Sequence, residues 1–91
     1  MGYDYTKLSN RMAMLFDGFR GRAPSAALEA AREFLDYNEY GVAYEALADV
    51  LASNRVSITE AELSAMREVA EQMELEAGAW QQLSPLVAQM E

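Results

Sequence analysis

The sequence predicts an all-α fold, a compact bundle of four to five short antiparallel helices, on three observations. Apolar residues recur at steps of three and four along nearly the whole chain, which is the period of an amphipathic helix. No stretch alternates apolar and polar residues for the length of an ordinary strand. The five glycines and two prolines fall mostly between the apolar stripes and leave connections of a few residues, which favour antiparallel neighbours.

The first stripe is Tyr5, Leu8, Met12, Leu15, Phe16 and Phe19, placing helix one over roughly residues 4 to 19. Gly18 and Gly21 mark its end, and Arg20 and Arg22 suit the negative pole of its dipole. After Pro24, Ser25 is positioned to cap a second helix running to Tyr37 or Asn38, with Leu28, Ala31 and Leu35 on one stripe, Phe34 beside it and Glu29 in the first turn. Two turn formers in Asn38-Glu39-Tyr40-Gly41 predict a tight turn there. Ala43, Leu47, Val50 and Leu51 then resume the helical period over about Tyr40 to Ala52.

Ser53-Asn54 closes helix three, and Arg55-Val56-Ser57-Ile58 reads as an extended segment whose two β-branched residues plug the core. Thr59 and Glu62 have the spacing of a capping box, the clearest helix start in the chain. Leu63, Met66, Ala70 and Met73 follow on one face of a fourth helix over about residues 60 to 73. Met12, Met66 and Met73 read as flexible core fillers. Leu75 and Gly78 interrupt the pattern. Trp80, Leu83, Leu86, Val87 and Met90 form a last apolar set, either two short helices or one kinked helix, with Ser84 as a cap and Pro85 at a first helical position.

At 91 residues, 52% of them apolar, the chain suits a single domain spanning 1–91 with one core, and disorder is not expected. The absence of cysteine removes disulfides and thiolate metal sites and makes the cytoplasm the expected location. Residues 1 to 7 (MGYDYTK) do not read as a signal peptide, and no apolar run approaches the ~18 residues of a membrane span, so no membrane partner is expected.

The formal net charge is -8, and it is unevenly distributed. Lys7, Arg11, Arg20, Arg22 and Arg32 face only Asp4, Asp17 and Glu29 in the first 32 residues, whereas only Arg55 and Arg67 offset the other twelve acids. Such a surface repels nucleic acid and attracts a basic partner; solubility alone is the competing explanation.

With no histidine and no cysteine, the chain lacks an imidazole base, a thiolate nucleophile and an ordinary catalytic triad, and it is not expected to be an enzyme. Glu29 with Glu33, and Glu45 with Asp49, stand four apart on helical faces, a spacing more typical of a solvated face than of an acid–base pair. Asp36 and Glu39 lack the loop sequence of a calcium site, and no glycine-rich phosphate cradle occurs, so no metal, cofactor or small-molecule substrate is expected. Helices two and three have the spacing of a helix-turn-helix. Residues 40 to 52, however, contain no Arg, Lys, Asn or Gln to read bases, which argues against nucleic acid as a partner.

Tyr37, Tyr40 and Tyr44 stand near helical steps among Glu33, Asp36, Glu39 and Glu45. Tyrosine anchors interfaces well and the acids can pair with a partner's Arg and Lys, although one or two of the rings could equally complete the core.

Ala27 to Leu51 (ALEAAREFLDYNEYGVAYEALADVL), Ile58-Thr59-Glu60-Ala61-Glu62, Ala70-Glu71-Gln72-Met73-Glu74-Leu75 and Trp80 to Val87 (WQQLSPLV) together resemble the MafI family of small immunity proteins. Members of that family pattern as a helix ending Phe-Leu/Ile-Asp-x-x-Glu, then Gly-x-Ala-x-Glu-x-Leu, a Ser/Thr-x-Glu-Glu helix start and a final Leu-x-x-Leu-Val. The resemblance begins at residue 27, so the first helix lies outside it. It implies a protein encoded beside a polymorphic toxin, as in contact-dependent growth inhibition, that neutralises the toxin domain by binding it; such toxins are often nucleases.

The residues that contact a partner in this family vary with the toxin, so the contact face is read from the residues themselves. It is expected to be Glu33, Asp36, Glu39, Tyr40, Tyr44, Glu45 and Asp49, with Phe34, Leu35, Ala43, Leu47, Leu51, Leu63 and Met66 in the core. The expected function is an immunity protein whose acidic face occludes the basic active-site cleft of a cognate toxin nuclease. The alternative is an acidic helical adaptor or regulator that binds a host protein and has no toxin partner.

Overall fold

In the computed structural model, which describes residues 5–87, the first apolar stripe lies on α1 (Tyr5–Gly18). Leu8, Met12, Leu15 and Phe16 are buried, and so is Phe19 just beyond the helix. The expected start at Asp4, the Tyr5 side chain and Met90 lie outside what is described. Arg22 folds back onto the end of α1, its guanidinium donating to the Gly18 carbonyl at 3.0 Å, where the helix leaves an acceptor unpaired.

Helix α2 (Ser25–Asp36) starts differently from the expectation. Ser25 is its first helical residue, no side chain caps it, and Glu29 stands beyond the first turn. Pro24 holds the cap position at φ -57° and ψ 125°, and its carbonyl accepts the first helical bond from Leu28 at 2.9 Å. The ring fixes a suitable φ at a place where no N–H is needed. Leu28 and Ala31 are buried and Leu35 packs against the core, but Phe34, expected inside, is 37% exposed. It sits one residue before Leu35, about 100° around the helix, and so turns away from the stripe.

Three helices end in the same way. After α2, after α3 (Tyr40–Ser53) and after α4 (Glu60–Gln72), a non-glycine residue takes a left-handed conformation: Asn38 at φ 59°, Arg55 at 49° and Glu74 at 57°. In each case the next N–H reaches back five residues, Glu39 to Phe34 at 2.9 Å, Val56 to Leu51 at 3.0 Å and Leu75 to Ala70 at 2.9 Å. This is the Schellman arrangement, which pairs otherwise orphaned carbonyls. The turn between α2 and α3 is therefore Tyr37–Glu39, and Gly41 lies inside α3 rather than in the turn.

Helix α3 is the centre of the molecule. Ala43, Tyr44, Leu47, Ala48 and Leu51 are all at 0% exposure, and α2 packs against it. Val56 and Ile58 are buried as expected. The Ile58 N–H donates to the Leu86 carbonyl at 3.0 Å, so the segment ahead of α4 also holds the tail.

Both halves of the Thr59–Glu62 capping box form, at 3.0 and 2.8 Å. Met66, Val69 and Ala70 are buried, with Leu63 and Met73 half-buried against the core. Helix α4 runs antiparallel to α1: Arg22, just past the end of α1, pairs with Glu62 in the first turn of α4, and Arg11 donates to Gln72 at its end, 3.1 Å away.

The tail resolves into two short pieces, α5 (Gly78–Gln81) and a 3-10 turn (Ser84–Leu86). Buried Leu83, not Ser84, occupies the cap position of that turn, and Pro85 lies in it. The buried side chains of α1 to α4, of the loops between them and of Leu83 form one cluster, against which Ala79, Trp80 and Leu86 pack. The radius of gyration of 12.6 Å is close to the ~12 Å expected of one domain of this length.

Candidate protein-binding groove

The three tyrosines meet three different fates. Tyr37, in the α2–α3 turn, is 74% exposed; Tyr40, in the first turn of α3, is half-buried and donates to the Asn38 side-chain oxygen at 3.1 Å; Tyr44 is at 0% exposure. Tyr44 therefore cannot touch a partner, which corrects its place in the expected contact face. It stands three residues before Leu47 and seven before Leu51, on the buried stripe of α3, and its hydroxyl donates to the Met66 carbonyl of α4 at 2.9 Å. That spacing was the available signal: a ring on the Leu47–Leu51 stripe belongs to the core.

The opposite face of α3 behaves differently. Gly41, Val42, Glu45 and Asp49 follow one side of the helix, facing the chain that leaves α4 through Glu74, Leu75 and Glu76. Two depressions of about 540 Å³ each lie along these walls and share Glu74 and Leu75, so they adjoin as two parts of one grooved face. The Schellman turn at Glu74 builds the second wall. It drops Leu75 toward Gly41, where a Cβ would meet the Leu75 side chain at 4.0 Å, an ordinary contact.

Of the seven expected contact residues, the groove gathers Glu39, Tyr40, Glu45 and Asp49. Glu33 and Asp36 are exposed on α2 but line neither depression. Glu74 and Glu76, which sequence reasoning did not select, complete the site. They lie about 30 residues along the chain from the α3 acids, and no local pattern pairs them.

The electrostatics are one-sided. Five carboxylates, on Glu39, Glu45, Asp49, Glu74 and Glu76, border the groove, and no Lys or Arg lines it. The ion pairs among the described residues all lie elsewhere: Arg20 with Asp17 and Glu29, Arg22 with Glu62, and Arg67 with Glu71. The apolar part of the lining comes from Leu8, Tyr40, Val42, Met73, Leu75 and Ala79. An apolar floor with an acidic rim is suited to a protein element that presents an apolar side chain flanked by Lys or Arg.

Among the described residues, no group of three carboxylates is arranged to hold a metal ion, and no helix is long and apolar enough to cross a membrane. No family model matches the chain, and neither a curated protein nor a solved structure matches it.

Proposed function

We propose that this protein is an immunity protein that binds and neutralises a cognate polymorphic toxin domain of the contact-dependent inhibition type, a nuclease in the reading favoured by charge. The observation that carries the proposal is the groove between α3 and the α4–α5 connection, where five carboxylates that take part in no ion pair among the described residues surround an apolar floor. Like charges gathered without counter-ions repel one another, and a partner that brings cations relieves that repulsion on binding. A nuclease grips a polyanion with such cations, so the residues it needs for its substrate are the ones this surface attracts.

Shape refines the way the partner is blocked. A concave groove receives a projecting element, so its natural target is the basic rim of a substrate cleft. The neighbouring α2–α3 turn, with exposed Tyr37 between Asp36 and Glu39, is in this reading the part that enters the cleft itself. Tyrosine combines a large contact area with a polar tip and little rotamer entropy to lose, which suits it to that position.

The test is to express the C-terminal domain encoded by the adjacent upstream gene, alone and with this protein. The expected result is a domain that is toxic alone and silenced in a stable stoichiometric complex. A neighbour that is not toxic, or that neither binds nor is neutralised, replaces this reading with that of a helical adaptor for a host protein.

A further inference from the structure

A second groove, of about 360 Å³, lies between α1 and α4 and shares no residue with the acidic one. Leu15 and Val69, both buried, form its floor. On the α4 wall, Ala61 and Ala65 present only methyl groups and leave room for a larger side chain. On the α1 wall, Met14 is 72% exposed. Arg11 stands on the α1 side and Glu68 on the α4 side, and none of the ion pairs among the described residues uses Glu68. One surface thus holds an apolar knob and a notch to receive it, and a positive wall and a negative one.

We propose that this groove takes a second copy of the chain. Since α1 and α4 are antiparallel neighbours, a two-fold axis running along the groove lays α1 of each copy over α4 of the other. Met14 then enters the alanine notch of the second copy, and Arg11 comes within reach of Glu68 of the second copy. Two-fold symmetry repeats each contact, giving a four-helix contact with two buried methionines and two charge pairs. Opposite walls favour this occupant over a uniformly basic or acidic partner, which would meet one wall of like charge.

Sedimentation equilibrium of the full chain over a concentration series, in salt that screens the net charge of -8, tests the proposal. The expected result is a mass that rises toward that of a dimer. Met14→Glu should weaken the association by about 30-fold or more, as for an apolar hot spot. Because Met14 is exposed, this variant should keep the wild-type melting temperature at concentrations low enough for both to be monomeric. Arg11→Glu and Glu68→Arg should each weaken association, and the double exchange should restore it. A monomer at every concentration, association indifferent to Met14→Glu, or a double exchange no better than the single ones would overturn the proposal.

Discussion

The Tyr44 hydroxyl donates to the Met66 carbonyl oxygen at 2.9 Å, joining the centre of α3 to the centre of α4 through the middle of the core. The ring fills the core, and the hydrogen bond satisfies the one polar atom it takes inside. Tyr44→Phe should lower stability by about 1 kcal/mol, since the ring stays and one buried hydrogen bond is lost. Denaturant unfolding, followed by the single Trp80, measures this. Partner affinity should be unchanged, whereas Tyr40→Ala, at the groove, should weaken it.

Burial pushes the Tyr44 phenol well above its ordinary pKa of 10.0. The folded protein therefore keeps a proton that the unfolded chain releases. This contribution to stability is intact below pH 10 and is lost as pH rises through the elevated value. Alkaline difference spectroscopy should show one of the five tyrosines ionising only as the fold is lost. In Tyr44→Phe that late phase should disappear.

Glu62 sets the acid side. Burial pushes its carboxyl up, but the Arg22 guanidinium and the Thr59 N–H and hydroxyl outweigh that effect and hold it below the ordinary value of 4.5. Its contribution to stability is present above pH 4.5 and is lost as pH falls through the lowered value. Glu62→Gln keeps the capping-box geometry and removes the charge paired with Arg22. The urea midpoint of the variant should depend less on pH in that acid window.

Glu74 and Arg55 separate stability from binding. Both hold left-handed backbone, at φ 57° and 49°, where glycine is easier by about 1 kcal/mol. Glu74→Gly and Arg55→Gly should therefore each raise stability by about that amount in thermal unfolding. Only Glu74 lines the acidic groove, so Glu74→Gly should also weaken the partner complex while Arg55→Gly leaves it unchanged. Equal affinities for the two variants would remove Glu74 from the binding site.

Reversing the charges of Glu39, Glu45 and Asp49 should weaken the complex by about 1 to 4 kcal/mol for each residue that acts as a hot spot, and should flatten its salt dependence. Reversing Glu33, outside both the groove and the α2–α3 turn, should cost less. Titration calorimetry at two salt concentrations distinguishes the two cases. An affinity indifferent to the first set would place the contact face elsewhere.

Most of the secondary structure and of the core follows from signals local in the chain. Period and capping are local: Leu8, Met12 and Phe16 define a face through a 3.6-residue repeat, and Thr59 and Glu62 form a helix start within four residues. How the exposed faces combine depends on the packing of one element on another. Tyr44 stands among acidic neighbours but on the Leu47–Leu51 stripe, and α4 is the element that covers it; Phe34 stands beside the Leu28–Ala31–Leu35 stripe on which α2 packs and is left outside. The acidic groove depends on this most strongly. Glu45 and Asp49 meet Glu74 and Glu76 because the left-handed turn after α4 brings Leu75 back against Gly41, and a relation between residues some thirty positions apart is set by packing, not by local sequence.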